Sequence, residues 1–233
     1  MADDSNIENP QAKRKLNPDD PAYRGQADYT RRLLAIYDPF VLGFMARAVW
    51  RCPTPQVVDR YRHNLGQRHL DVGPGTGYFL DKAGLPSEAE VTLLDPNSTV
   101  LAHASRRLAP MKVSTVEADV LKPLPVRGPF DSAALNYVLH CLPGPQPHKA
   151  VAIRNVAAVL TPDGVLFGGT VLGRPEQHTP LARASLWAFN RRGVFDNLAD
   201  TEEGLRRILE ESFHTVEIEV VGSIAQFTAT GPH

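Results

Sequence analysis

The sequence predicts an α/β protein. The expected architecture is a doubly wound, mostly parallel seven-stranded sheet with a C-terminal antiparallel hairpin and an N-terminal helical layer. Three observations carry this. Short apolar runs alternate with helix-period segments from residue 68 to residue 172, the mark of βα repeats around a parallel sheet. The first such run, Arg68–Gly73, leads into a glycine loop and then a helix. Near the C-terminus, Val216, Ile218 and Val220 alternate with Glu217 and Glu219, as in a half-exposed strand. Gly222-Ser223 then turns the chain, with glycine first as a II′ hairpin requires, and Ile224–Ala229 runs back.

Element by element, residues 1–22 are polar, of mixed charge, and interrupted by Pro10, Pro18 and Pro21. They read as a disordered tail. Residues 23–65 read as a helical lid. Leu33, Leu34, Ile36 and Tyr37 share one face, and Asp38-Pro39 and Thr54-Pro55 each look like a cap followed by proline at the first helical position. Residues 66–233 read as one catalytic domain. Its expected strands are Arg68–Gly73, Val91–Leu94, Lys112–Val116, Phe130–Leu135 and Gly164–Leu172, followed by the hairpin. Helices are expected near 77–83, 98–108, 148–160 and 203–211.

Composition narrows the function. The 233 residues carry a net charge of −1, without the basic excess of a nucleic-acid binder. Two cysteines, Cys52 and Cys141, cannot form a disulfide framework or a Cys₄ metal site. No apolar run is long enough to span a bilayer, and the first residues lack a signal-peptide pattern. A soluble cytoplasmic protein without nucleic-acid or membrane partners is the expectation; the oligomeric state is open.

The informative stretch is Asp71-Val72-Gly73-Pro74-Gly75-Thr76-Gly77-Tyr78. A dinucleotide fingerprint would place its third glycine where Tyr78 stands. An acid inside the strand, Asp71, would repel a pyrophosphate but suit a cationic ligand. This stretch resembles motif I of the class I S-adenosylmethionine-dependent methyltransferases, and the resemblance covers roughly residues 65–230 in matching element order. It implies a Rossmann-like methyltransferase fold with S-adenosyl-L-methionine as cofactor. It also implies that Gly73, Gly75 and Gly77 lie against the methionine moiety beside Asp71 and Asn136. Asp95 would hold the ribose hydroxyls and Asp119 the adenine amine, with Glu117 a competitor for that last role. Asp131 is expected to be structural.

Asn136-Tyr137-Val138-Leu139-His140-Cys141-Leu142 resembles the corresponding segment of small-molecule methyltransferases and lacks the N-P-P-Y pattern. His140 is the candidate general base. Tyr137, Tyr37 and Trp187 are the candidate substrate contacts, Tyr37 from the lid. No residues have metal-ligand spacing; His103, His148 and His178 read as surface residues. The expected reaction is methyl transfer to an O, N or C nucleophile of a small molecule in specialised metabolism. A cyclisation on the same fold, or a non-catalytic cofactor-binding module, stays open on the sequence alone.

Overall fold

The computed structural model describes residues 38–233 except 87, 110 and 175–177. The expected tail, the first helix and Tyr37 lie outside the described residues. The chain begins with a π-helical segment, Asp38–Val49, continued by a wide turn in which the Trp50 N–H reaches the Met45 carbonyl at 2.9 Å. Helix α1, Thr54–Asn64, follows. It starts one residue earlier than the sequence suggests, and the Thr54 hydroxyl donates back to the Leu42 carbonyl. The alternating region is β1 (Arg68–Val72), α2 (Tyr78–Ala83), β2 (Glu90–Asp95), α3 (Ser98–Arg107), β3 (Lys112–Glu117) and β4 (Phe130–Asn136). After one 3₁₀ turn come α4 (Gln146–Ala157), β5 (Leu160–Val171), α5 (Pro180–Arg191), α6 (Glu202–Glu210), β6 (Phe213–Val221) and β7 (Ile224–Pro232).

The seven strands lie in the order β3-β2-β1-β4-β5-β7-β6. Strands β1 to β5 pair in parallel, and β7 is antiparallel to both β5 and β6. This matches the sheet and closing hairpin expected from the sequence. Period-two alternation decides what each face of β1 buries. Leu70 and Val72 join a core with α4 and α6, while His69 and Asp71 point to the other face under Tyr61 of α1. Helices α1, α2, α3 and α5 cover that second face. Because α1 buries Val57, Val58 and Tyr61, this part of the expected 23–65 layer shares the sheet's core.

Strand β5 starts four residues earlier than expected. Pairing with β4 shifts between Phe130↔Leu160 and Ser132↔Val165. Thr161-Pro162-Asp163-Gly164 forms the irregularity, since Pro162 has no N–H to give to a ladder. Helix α4 correspondingly ends at Ala157 and begins at Gln146.

The hairpin turn is locked to the N-terminal layer. Gly222 has φ 60°, and the Ser223 N–H donates to the Trp50 carbonyl at 2.8 Å. A Cβ at 222 would lie 2.2 Å from that same carbonyl oxygen. Gly222→Ala therefore combines positive-φ strain with overpacking, for a loss of about 2–4 kcal/mol. Calorimetry should show a melting temperature lower by roughly 5–15 °C; an unchanged value would refute the close approach.

Candidate cofactor and substrate site

A cleft of about 1110 Å³, counting its open mouth, lies at the carboxyl ends of β1, β2 and β4. This is where doubly wound sheets bind ligands. Its floor is the loop Gly73–Gly77. The three glycines all have positive φ, 67°, 56° and 74°. At Gly73 the reason is also steric, because a Cβ would sit 2.6 Å from Val138 Cγ2. At Gly75 a Cβ would meet nothing within 4 Å, so only the backbone stands between the loop and the open cleft. Helix α2 behind the loop has only six residues, so the loop backbone matters more than any helix dipole.

Asp71 is 2% exposed. The Tyr61 hydroxyl donates to its Oδ2 at 3.4 Å, while its Oδ1 is buried without a partner. Burial pushes the carboxyl up to about 8, and the Tyr61 hydrogen bond opposes the shift. Asn136, at the end of β4, lines the cleft, and its Nδ2 is likewise buried and unpartnered. Asp71 is not on the cleft wall, though its chain neighbour Val72 and its partner Tyr61 are; a buried acceptor and a buried donor left open are each costly unless a ligand satisfies them. The ammonium and carboxylate of an amino-acid moiety would satisfy both. These residues therefore fit the methionine end of S-adenosylmethionine.

Asp95 and Asp119 both line the cleft, and Glu117 does not. Asp95 Oδ1 accepts from the Asn97 N–H at 2.7 Å, and burial pushes its carboxyl up to about 7. The cap of α3 is Asn97, whose side chain accepts from the Thr99 N–H at 2.9 Å. Asp95 thus keeps its second oxygen for the cleft. Asp119 accepts from the Leu121 N–H at 2.9 Å and pairs with Lys122 at 3.6 Å. Asp131 holds the Arg68 N–H at 2.9 Å, a structural bond as expected.

Tyr137 lines the cleft and has φ 60°, an uncommon conformation for a bulky side chain. It turns the chain out of β4, with its N–H held by the Gly169 carbonyl at 2.7 Å. His140 corrects the sequence expectation. It is 3% exposed and absent from the cleft wall. The Val171 N–H donates to its Nδ1 at 3.1 Å, so in the neutral ring the proton sits on Nε2 and no lone pair is free to take another. Burial pushes its pKa down to about 3. Its role is to hold the β4 loop to β5. Trp187 also departs from expectation: it is 58% exposed on α5, away from the main cleft. It lines a shallow hollow that shares Cys141 and Pro143 with that cleft. His178 is another correction, being buried between Ser223 Oγ at 2.8 Å and the Leu172 carbonyl at 3.0 Å.

Sequence reasoning missed Tyr61 and Val138. The spacing of Tyr61 with Val57 and Val58 marks it as core, and nothing in the sequence links it to Asp71. Among the described residues, no group of three or more His, Cys, Asp or Glu could hold a metal ion. Nor is any described helix long and apolar enough to cross a membrane.

Residues 70–166 match the family model described as a methyltransferase domain. The chain is 37% identical over 215 residues to the physcion biosynthesis cluster O-methyltransferase of Aspergillus chevalieri, covering 91% of this chain and 97% of that one. It is 38% identical over 207 residues to the demethylluteothin O-methyltransferase of Streptomyces thioluteus, covering 88% and 90%. Among solved structures, the N-methyltransferase NodS of Bradyrhizobium japonicum WM9, in complex with S-adenosyl-L-homocysteine, superimposes with a TM-score of 0.63. It covers 92% of this chain and 100% of that one at 18% identity, a likeness of fold.

Proposed function

The chain belongs to the class I S-adenosylmethionine-dependent methyltransferases, and from that premise we propose that it methylates a hydroxyl oxygen of a small phenol- or enol-type molecule of specialised metabolism. The bound cofactor supplies an electrophilic methyl group on a sulfonium. Asp95 accepts from the two ribose hydroxyls and Asp119 from the adenine amine. The backbone of Gly73, Gly75 and Gly77 lies along the methionine part, whose charged ends meet Asp71 and Asn136. Tyr137 forms the wall facing the acceptor. Trp187 offers a ring face at the far side of Cys141 and Pro143. Of the expected lid, the described residues 38–53 close the mouth and exclude water; Tyr37 lies outside the described residues. In support, Leu42 of the π-helical segment lines the cleft. Slower amide exchange across 38–53 on adding S-adenosylhomocysteine is expected; unchanged exchange would refute the closure.

One observation carries the choice of nucleophile. Neither His140 nor Cys141, the two candidates beside the acceptor end, is set to take a proton near neutral pH. The ring of His140 is turned into the body, and burial pushes the Cys141 thiol up to about 12. The chain contributes alignment, and holding reactants in line can supply roughly 7–11 kcal/mol. The acceptor must then ionise by itself, as an acidic hydroxyl does. The two O-methyltransferase relatives agree with this reading. The test uses S-adenosylmethionine with a deuterated methyl, a panel of phenols, enols and amines, and NMR of the product. Label on oxygen with equimolar S-adenosylhomocysteine is expected. Turnover confined to amines, or label on carbon, would overturn the choice.

A further inference from the structure

Among the described residues, one of the largest fully buried side chains is a lysine. Lys149 of α4 and Asp200, in the segment before α6, are 1% and 4% exposed in their side chains, with Nζ and Oδ2 2.6 Å apart. A buried ion pair is rarely kept for stability alone, because desolvating two charges offsets most of their attraction. Its surroundings suggest another use. The same Nζ donates to the Asp196 carbonyl at 2.7 Å. Asp196 in turn accepts the Gly144 N–H on Oδ2 at 2.7 Å and gives its own N–H to the His140 carbonyl at 2.9 Å. Between His140 and Gly144 lie Cys141 and Pro143, the residues shared by the cofactor cleft and the Trp187 hollow. Gln146 adds a second tie, exchanging two hydrogen bonds with the Thr201 backbone at 2.9 and 3.0 Å.

We propose that Lys149, Asp200 and Asp196 form a brace that positions the Cys141–Pro143 partition and so sets the passage between the cofactor cleft and the acceptor hollow. Lys149 and Asp200 line neither the cleft nor the hollow and act through the partition; Asp196 lies on the hollow's wall and ties the partition to them. Lys149 is the post of the brace, because a flexible ammonium can serve a carboxylate and a backbone carbonyl at once. Asp196 is the clasp, joining the 193–200 segment to the 140–144 turn. The acceptor side of this inference rests on the function proposed above; the partition's position does not.

Two variants separate positioning from simple stability. Lys149→Met with Asp200→Leu removes both buried charges together, so the fold is retained, but the Asp196 carbonyl loses its ammonium donor. Asp196→Ala leaves the buried pair intact and removes only an exposed carboxylate. The first readout is labelling of Cys141 by N-ethylmaleimide, with Cys141→Ser as the blank; the other thiol, Cys52, is fully buried. Both variants should label at least tenfold faster than the wild type, with S-adenosylhomocysteine affinity within threefold. With an accepted substrate, KM should rise at least fivefold while kcat stays within twofold. If both variants fold and label at the wild-type rate, the brace does not position the partition and the inference falls. A wild type that turns over no phenol or enol would refute the proposed acceptor, while labelling would still decide the brace.

Discussion

Replacing Asp95 by alanine should weaken binding of S-adenosylmethionine and S-adenosylhomocysteine by about 1.5–3 kcal/mol, roughly a ten- to hundredfold rise in Kd. Hydrogen bonds to an ionised carboxylate are the strong kind, and two vicinal hydroxyls can donate to one carboxylate. The fold should survive, because Asn97 and not Asp95 caps α3. The loss is confined to one turn bond, from the Asn97 N–H to Asp95 Oδ1. A pH signature separates this role from a merely steric one. Burial holds the free carboxyl at about 7, and hydroxyl donors favour its ionised form. Binding therefore releases a proton at low pH, and affinity falls as pH drops below about 7, by up to about tenfold per unit. Asp95→Asn should remove the Asp95 share of that dependence and leave only the share set by Asp71. Calorimetric titration between pH 5.5 and 8 is the measurement; a wild-type affinity flat through this range, or an unchanged Kd in Asp95→Ala, would leave Asp95 only a turn residue.

What the sequence reveals here follows from range. The glycine loop, Asp95 and Asp119 are legible because local backbone demands fix them: positive φ at Gly73, and the ends of β2 and β3. The sheet is legible because period-two runs and the Gly222-Ser223 turn are local signals. Long-range side-chain relations are not written locally. Tyr61 meets Asp71 only because α1 crosses the carboxyl end of β1. Lys149 reaches Asp200 across 51 positions of sequence, and in α4 it looks like any helix lysine. His140 illustrates the converse. Its chemistry invites a catalytic reading, but whether a lone pair is free depends on Val171, 31 positions away. Trp187 sits at helical spacing with Arg191, whose guanidinium lies 5.2 Å above its ring, and only the tertiary path of α5 leaves that face outward.

Asp71→Asn should stabilise the free protein and disable it. Burial raises the folded-state carboxyl to about 8 from its ordinary 3.8. Between these values the folded chain holds a proton that the unfolded chain has released. The associated stability is fully present below pH 3.8 and is lost as pH rises through about 8. Asparagine stays neutral throughout and can still accept from Tyr61. At pH 8 the variant should therefore melt higher in the absence of cofactor, by about 2–4 kcal/mol or roughly 5–15 °C, with the gap narrowing toward pH 4. Binding should move the other way. The ionised carboxylate stands ready for the cofactor's ammonium, its Oδ1 unpartnered, and removing one member of a buried charge pair costs about 2–5 kcal/mol. Saturating S-adenosylhomocysteine should then raise the melting temperature of the wild type far more than that of the variant. Such opposition between stability and binding is what a site held ready for a cation produces. Scanning calorimetry at pH 5 and pH 8, with and without S-adenosylhomocysteine, decides the matter: equal melting temperatures of the two free proteins at pH 8 would mean that Asp71 carries no buried charge for the ligand to claim.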